Sequence, residues 1–271
     1  MMQTRTIPSS GEQLPVIGCG TYRGFDVAGG TERLRQVLDN LLAAGGTVVD
    51  SSPMYGRAEA VAGALIAQAN ARAQAFIATK VWTRGRDAGI AQMRNSFALL
   101  QTERIDLMQI HNLVDWRTHL VTLRQWKTEG RIRYLGITHY TESAFADLEA
   151  VMRAEALDFV QLNYSAMDRA AERRLLPLAR ERGIAMIANY PLASGAAPRS
   201  LGGRPLPGFA AEIDCASWPQ LLLKFVVSHP AITCAIPGTG NPAHMADNAK
   251  AGFGAMPDEA MRARIAAAVE E

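Results

Sequence analysis

The stretch TVVDS SPMYG RAEAV, residues 47–61, outlines a strand, a loop and the opening of a helix. Thr47, Val48 and Val49 form a short β-branched run of the kind that is buried in a parallel sheet. The run stops on the carboxylate of Asp50, and Tyr55 follows five residues later, just before a helical pattern over Glu59–Ala69. A strand that ends in a carboxylate is ordinary at a surface. It gains meaning only where other strands end in ionisable groups and point to the same place.

Working outward, the same unit recurs along the chain. Apolar runs at Val16–Thr21, Thr47–Asp50, Phe76–Lys80, Ile105–His111, Ile132–Thr138, Phe159–Leu162, Ile184–Ala188 and Ile232–Pro237 are separated by loops and amphipathic stretches such as Thr31–Ala44. Two of these stretches, WRTHLVTLRQWKTEG and AERRLLPLARERG, stop at a glycine, as helices often do. Eight strands alternating with about eight helices predict parallel strands with crossover helices, and eight is the number that closes into a (β/α)8 TIM barrel. The preceding TRTIPSSGEQLPVIG predicts a β-hairpin, turning at Ser9-Ser10-Gly11, that closes the bottom of the barrel. No linker or low-complexity tract interrupts residues 1–271, so one barrel domain is expected, and that length is usual for such a fold. The Pro- and Gly-rich stretch 191–217, after the seventh strand, reads as a long irregular loop at the C-terminal face, a place for a lid or a cofactor clamp.

Composition narrows the partners. With 28 basic and 26 acidic residues scattered along the chain, the net charge is +2, which argues against nucleic acid or an anionic membrane. No apolar stretch is long enough to span a bilayer, and the N-terminus lacks the pattern of a secretory signal. Cys19, Cys215 and Cys234 show no metal or redox spacing and read as buried thiols in a reducing cytoplasm.

Three neighbouring strand ends then deliver an Asp50 carboxylate, a Lys80 ammonium and a His111 imidazole to one rim, with Tyr55 in the loop beside them. Each has a bland use alone, as turn former, solvated end, core histidine or packing residue. Four together, in order on adjacent strands, predict an active site at the C-terminal face. The chemistry that fits is proton donation by a phenol, whose reference pKa is about 10. A nearby ammonium is expected to lower that value, Asp50 to keep the ammonium charged, and His111 to orient a carbonyl oxygen. Such an acid supplies no electron pair, so a reduction needs a cofactor. A candidate site for an anionic one follows the eighth strand, where Gly238-Thr239-Gly240 precedes Asn241 as helix cap and a proline at the first helical position. The Rossmann and Walker glycine patterns are absent from the sequence.

The segments GCGTY, D-S-S-P-M-Y-G-R-A-E, ATKVW, DLMQIHN, RIRYLGITHY, DFVQLNY, ANYPLASG and IPGTGNPAHMADN, in that order and spacing, resemble the aldo-keto reductases over nearly the whole chain. The resemblance implies a barrel that binds an extended nicotinamide cofactor and reduces small carbonyl compounds without metal, with Asp50, Tyr55, Lys80 and His111 as the catalytic set. It implies cofactor contacts from Gly20, Thr21, Tyr22 and Asp50. Thr138, His139 and Gln161 fall where the family holds the carboxamide, His139 replacing an asparagine. Asn189 aligns with the aromatic residue that stacks on the nicotinamide. Tyr190 is its neighbour, and alternation along a strand argues against its taking over that stacking. Leu192, Ser194, Pro237, Gly238, Thr239, Gly240, Asn241, His244, Asp247 and Asn248 complete the implied contacts, with Asp247 near the adenine. Gly238 and His244 stand where NADP-preferring members carry a lysine and an arginine. The expectation is NADP(H), with NAD(H) use open. Tyr22, Trp82 and Trp116 are expected to line an aromatic substrate pocket. The short connection after the fourth strand, and the lack of residues beyond the last helix, predict an open pocket with a broad range of aldehydes and ketones.

Two other readings use the same residues. One is a non-catalytic, nicotinamide-nucleotide-sensing regulatory subunit with the same barrel. The other is a lyase that forms a Schiff base on Lys80, which requires a lowered lysine pKa that an Asp50 partner opposes. The oligomeric state is left open by the sequence.

Overall fold

The computed structural model describes residues 1–270. A hairpin of β1 (Thr4–Thr6) and β2 (Gln13–Pro15) precedes eight parallel strands: β3 (Cys19–Gly20), β4 (Val48–Asp50), β5 (Phe76–Val81), β6 (Ile105–His111), β7 (Ile132–Thr138), β8 (Phe159–Asn163), β9 (Ala185–Asn189) and β10 (Ile232–Ala235). The parallel strands pair in chain order. Backbone hydrogen bonds from Gly18 N–H to Ala235 O and from Ala235 N–H to Val16 O, each 2.9 Å, join the two outer strands and close the barrel. These two bonds make the bridge between Ile17 and Ala235, and a second isolated bridge links Gly20 to Gly238. The ends of the expected first and last runs are therefore paired, though by bridges, and the regular strands β3 and β10 come out shorter. The seam also leaves little room for a side chain. A Cβ on Gly20 would lie 3.0 Å from the Ile236 carbonyl, and one on Gly238 would lie 3.2 Å from the Gly20 carbonyl.

The crossover helices are α1 (Glu32–Ala43), α2 (Ala58–Gln68), α3 (Arg86–Leu99), α4 (Trp116–Thr128), α5 (Phe145–Ala154), α6 (Leu175–Arg182), α8 (Trp218–Ser228) and α9 (Pro242–Ala249), with α10 (Glu259–Glu270) last. Gly183 ends α6 in the left-handed conformation, as its sequence predicts. Asn241 caps α9 through its side chain, with Pro242 behind it. The stretch 191–217 is not irregular. It folds into 3-10 turns at Ala193–Gly195 and Gly208–Ile213 around α7 (Ala196–Leu201), and Ala197, Leu201, Ala210 and Ile213 bury against the core. Each turn is too short to show a helical period among the prolines and glycines, which is why the sequence pattern hides it.

Period-two alternation divides the barrel strands into outward and inward residues. Inside, Val48, Phe76, Leu107, Tyr134, Phe159, Ala185, Ile187, Cys234 and Ile236 form one apolar cluster with Ile7 and Leu14 of the hairpin. The hairpin therefore plugs the N-terminal end, as expected. Two residues further along the same strands the inward set turns polar, with Lys80, Gln109, His111, Thr138, Gln161, Asn163 and Asn189. An apolar floor beneath a polar layer fixes where chemistry takes place. No helix among the described residues is long and apolar enough to cross a membrane.

His229, after α8, packs edge-on against Tyr164 at 5.7 Å, and its Nδ1 accepts the Ala231 N–H at 3.1 Å. Burial, helped by Arg262, lowers its pKa to about 4. Below the unfolded value of about 6.5 the unfolded chain takes up a proton that the folded chain refuses, so stability falls with falling pH. His229→Gln is expected to be more stable relative to wild type at pH 4.5 than at pH 7, with the gap growing by up to about 1.4 kcal/mol per pH unit. Urea unfolding at both pH values checks this. A gap independent of pH would show that His229 does not titrate on unfolding.

Candidate active site

Lys80 is fully buried at the end of β5, and its ammonium has three protons to place. One goes to Asp50 Oδ2 at 2.7 Å and one to the Ser51 carbonyl at 2.6 Å, while Nζ also lies 5.1 Å from the centroid of the Tyr55 ring. Burial opposes the charge, but Asp50 and Tyr55 outweigh it, and the lysine pKa is raised above its ordinary value. Asp50 is held from its other oxygen by Gln161 Nε2 at 3.0 Å and Gln109 Nε2 at 3.2 Å. Asp50, Lys80 and Tyr55 thus meet as the strand ends require.

The expectation for Tyr55 needs correction. Burial raises its pKa above the ordinary phenol value, and the Lys80 charge only partly offsets that. The phenol therefore holds its proton more firmly than an exposed tyrosine. Sequence spacing places the ammonium correctly but does not report how much water the ring loses.

His111 stands at right angles to Tyr55, ring centroids 5.9 Å apart, with Trp82 6.5 Å away on another side. Burial and the Lys80 charge lower its pKa to about 3, so the imidazole is neutral at physiological pH. Ser52 Oγ lies 3.0 Å from His111 Nδ1 and takes a hydrogen bond from Met54 N–H at 3.4 Å. A hydroxyl both donates and accepts, so this contact suits either neutral tautomer, and with Ser52 donating to Nδ1 the N–H sits on Nε2. Sequence reasoning misses Ser52 because a serine in a Pro-containing loop looks like a turn former. Its only sequence signal is its place midway between Asp50 and Tyr55.

The implied cofactor residues fall into three groups. Around the mouth, exposed Tyr22 packs against Tyr55 with ring centroids 4.9 Å apart. Tyr190 lies past the end of β9 with φ 49°, so strand alternation does not govern it, and its ring faces Tyr140 at 6.2 Å. Leu192 and Ser194 follow in the adjoining turn, Ser194 also at positive φ. Along the seam, Gly238 meets Gly20, and Gly240 sits against Gly24, where a Cβ would come within 3.1 Å of the Gly240 nitrogen. This leaves a segment of rim bare of side chains up to Pro237, next to Thr239, whose Oγ1 accepts the Asn241 N–H, and to exposed His244.

A third group is committed to structure. Thr21 Oγ1 donates to the Asp50 carbonyl and is hydrogen-bonded to Ser51 Oγ, bracing the strand end. Thr138 donates to Gln161 Oε1 at 3.1 Å. His139 Nδ1 accepts the N–H groups of Tyr140 and Thr141. The Asp247 carboxylate accepts from Ser217 Oγ and Gln220 Nε2, each at 2.6 Å, fastening α9 to the start of α8, and Asn248 is buried beside it. Trp116 begins α4 and packs on the outer core with Arg117 across its ring at 4.3 Å.

An aromatic mouth, a side-chain-free glycine seam and a capped helix start fit an extended anionic dinucleotide. Two buried amide oxygens at the rim, on Asn163 and Asn189, have no partner in the protein and fit its polar end. Three sets of similarities accord with this geometry. A model described as "Aldo/keto reductase family" matches residues 16–269. Methylglyoxal reductase YeaE of Escherichia coli is 28% identical over 259 residues, covering 92% of this chain and 89% of its own length. An NADH-specific methylglyoxal reductase of Escherichia coli is 27% identical over 228 residues, covering 72% and 68%. Among solved structures, an aldo-keto reductase from Klebsiella pneumoniae in complex with NADPH superposes with a TM-score of 0.82, covering 99% of this chain and 95% of that one at 24% identity, a likeness of fold.

Removing one partner of a buried ion pair strands the other charge. Asp50→Asn is expected to lower the free energy of unfolding by about 3–5 kcal/mol, and Asp50→Asn/Lys80→Met to recover much of that loss. Urea unfolding of both variants decides. A single-variant loss below about 1 kcal/mol would mean the pair is not ionic in the folded state.

Proposed function

The chain belongs to the aldo/keto reductase family, and on that premise we propose that it reduces small aldehydes and ketones to alcohols with a nicotinamide cofactor, NADP(H) in preference to NAD(H). The observation that carries the reading is the buried Lys80 ammonium, hydrogen-bonded to Asp50 and Ser51 and set against the Tyr55 ring. The bound cofactor supplies the hydride.

The residues of the chain supply the rest. An ammonium has no lone pair to accept with, so the phenol proton of Tyr55 turns away from the neighbouring Lys80, toward a substrate. His111, neutral and with Nε2–H outward, donates a second hydrogen bond and holds the carbonyl oxygen beside Tyr55. As charge gathers on that oxygen, Tyr55 gives up its proton, and Lys80 stabilises the phenolate left behind. Asp50, Gln109 and Gln161 keep the ammonium charged and in place throughout. A raised lysine pKa leaves no free amine, which weighs against Schiff-base chemistry on Lys80. Both Escherichia coli relatives are named for methylglyoxal, so a small oxoaldehyde is the first substrate to offer. Three buried free thiols, Cys19, Cys215 and Cys234, accord with a cytoplasmic setting.

NADPH consumption with methylglyoxal and a panel of aldehydes tests the proposal. Tyr55→Phe is expected to lower kcat by about 10²–10⁴-fold while leaving nucleotide affinity within about threefold. In wild type the rate should decline only beyond the ordinary phenol range, because burial makes Tyr55 hold its proton more firmly than an exposed tyrosine. A wild type that binds nucleotide and oxidises it with none of these carbonyls would favour the nucleotide-sensing alternative. Separately, His244→Ala should weaken NADPH but not NADH in a fluorescence titration. Equal effects on the two would remove His244 from 2′-phosphate recognition.

A further inference from the structure

We propose that Asn163 and Asn189 form a pair of acceptors that binds the N–H2 group of the cofactor's carboxamide, an assignment that rests on the nicotinamide-dependent function above. The two residues face each other in register at the ends of β8 and β9. Each continues the inward set of its strand, Asn163 beyond Phe159 and Gln161, and Asn189 beyond Ala185 and Ile187. They therefore belong to the polar layer that holds Asp50 and His111.

The orientation of both amides is fixed by their neighbours. Asn163 Nδ2 donates to the Asp168 carboxylate, and Asn189 Nδ2 lies 3.4 Å from the His139 carbonyl oxygen. A carboxylate and a carbonyl only accept, so neither amide can be turned over. What remains on each is Oδ1, and both Oδ1 atoms are buried without a partner, Asn163 being only 6% exposed. Buried acceptors left empty are costly and uncommon. Two of them on adjacent strands call for a ligand that brings N–H groups, which excludes a phosphate, a carboxylate or an apolar ring. A primary amide carries two such protons on one nitrogen. The residue that the family resemblance assigns to this task, Gln161, already has its amide oxygen on Thr138 and its nitrogen on Asp50. Asn189, where an aromatic residue would stack on the ring, thus exchanges stacking for a hydrogen bond, and Asn163 joins it.

The probe is a pair of nucleotides, NADPH and the reduced 3-acetylpyridine analogue, in which a methyl group replaces the carboxamide N–H2 and the carbonyl is kept. Both are titrated calorimetrically into the full chain. Wild type is expected to bind NADPH about tenfold more tightly than the analogue, the worth of one to two hydrogen bonds. Asn163→Ala and Asn189→Ala should each reduce that preference to about threefold or less, chiefly by weakening NADPH, and Asn189→Ser should retain part of it. Equal binding of the two nucleotides by wild type overturns the assignment while leaving nicotinamide dependence intact. So does a preference that survives in both alanine variants, which would place the contact on Thr138, His139 or Gln161. Binding of neither nucleotide overturns the assignment together with the function it rests on. The wild-type comparison needs no variant to fold.

Discussion

Burying an ammonium is the constraint on which the upper half of the barrel depends. Lys80 has no exposed surface, and a charge so placed persists only if each of its protons meets an acceptor. Asp50 and the Ser51 carbonyl meet most of that demand, with the Tyr55 ring against the ammonium. Asp50 then needs donors of its own, which fixes Gln109 on β6 and Gln161 on β8 as inward amides. Five strands are thereby tied to one charge, since Thr138 on β7 holds Gln161 in turn. The parallel register that brings Asp50 opposite Ala78 sets Lys80 two residues further along its neighbour, on the same face.

The polar layer is tolerable because the layer beneath it is not polar. Ile7 and Leu14 seal the interior from below, and the aromatic cluster of Phe76, Tyr134 and Phe159 fills it, so water reaches the charged groups only from the mouth. Burial then acts in different directions on the three groups that face that mouth. It raises Tyr55, lowers His111 to about 3, and would lower Lys80 had its partners not reversed the sign. The result is a proton held on the phenol, a neutral imidazole and a charged lysine, the states that the proposed reduction calls for.

How much of this could be read beforehand depends on which property is local. Asp50, Lys80 and His111 are legible because each closes an apolar run, and the count of runs predicts the barrel. Tyr55 is legible by its distance from Asp50. Ser52 and Gln109 are not, because a loop serine and a glutamine within a strand look alike whether they support a catalytic group or merely fill space. Tyr190 misleads because a residue at φ 49° has left its strand, and alternation no longer applies. The bonds of Asp247 to Ser217 and Gln220 are equally invisible along the chain, because those partners belong to a different helix and its cap.

The amino-acid sequence by itself determined the strands, their number, the rim on which the ionisable residues gather and the family to which the chain belongs, since period, spacing and motif order are properties of neighbours along the chain. Only the tertiary structure decided the direction in which the phenol titrates, the neutrality of His111, the closing of the seam at Gly20 and Gly238, and the two empty acceptors on Asn163 and Asn189. Each of these depends on which groups from distant segments exclude water from one point or leave a lone pair without a partner. Desolvation and hydrogen-bond satisfaction are sums over space, and spacing along the chain does not contain them.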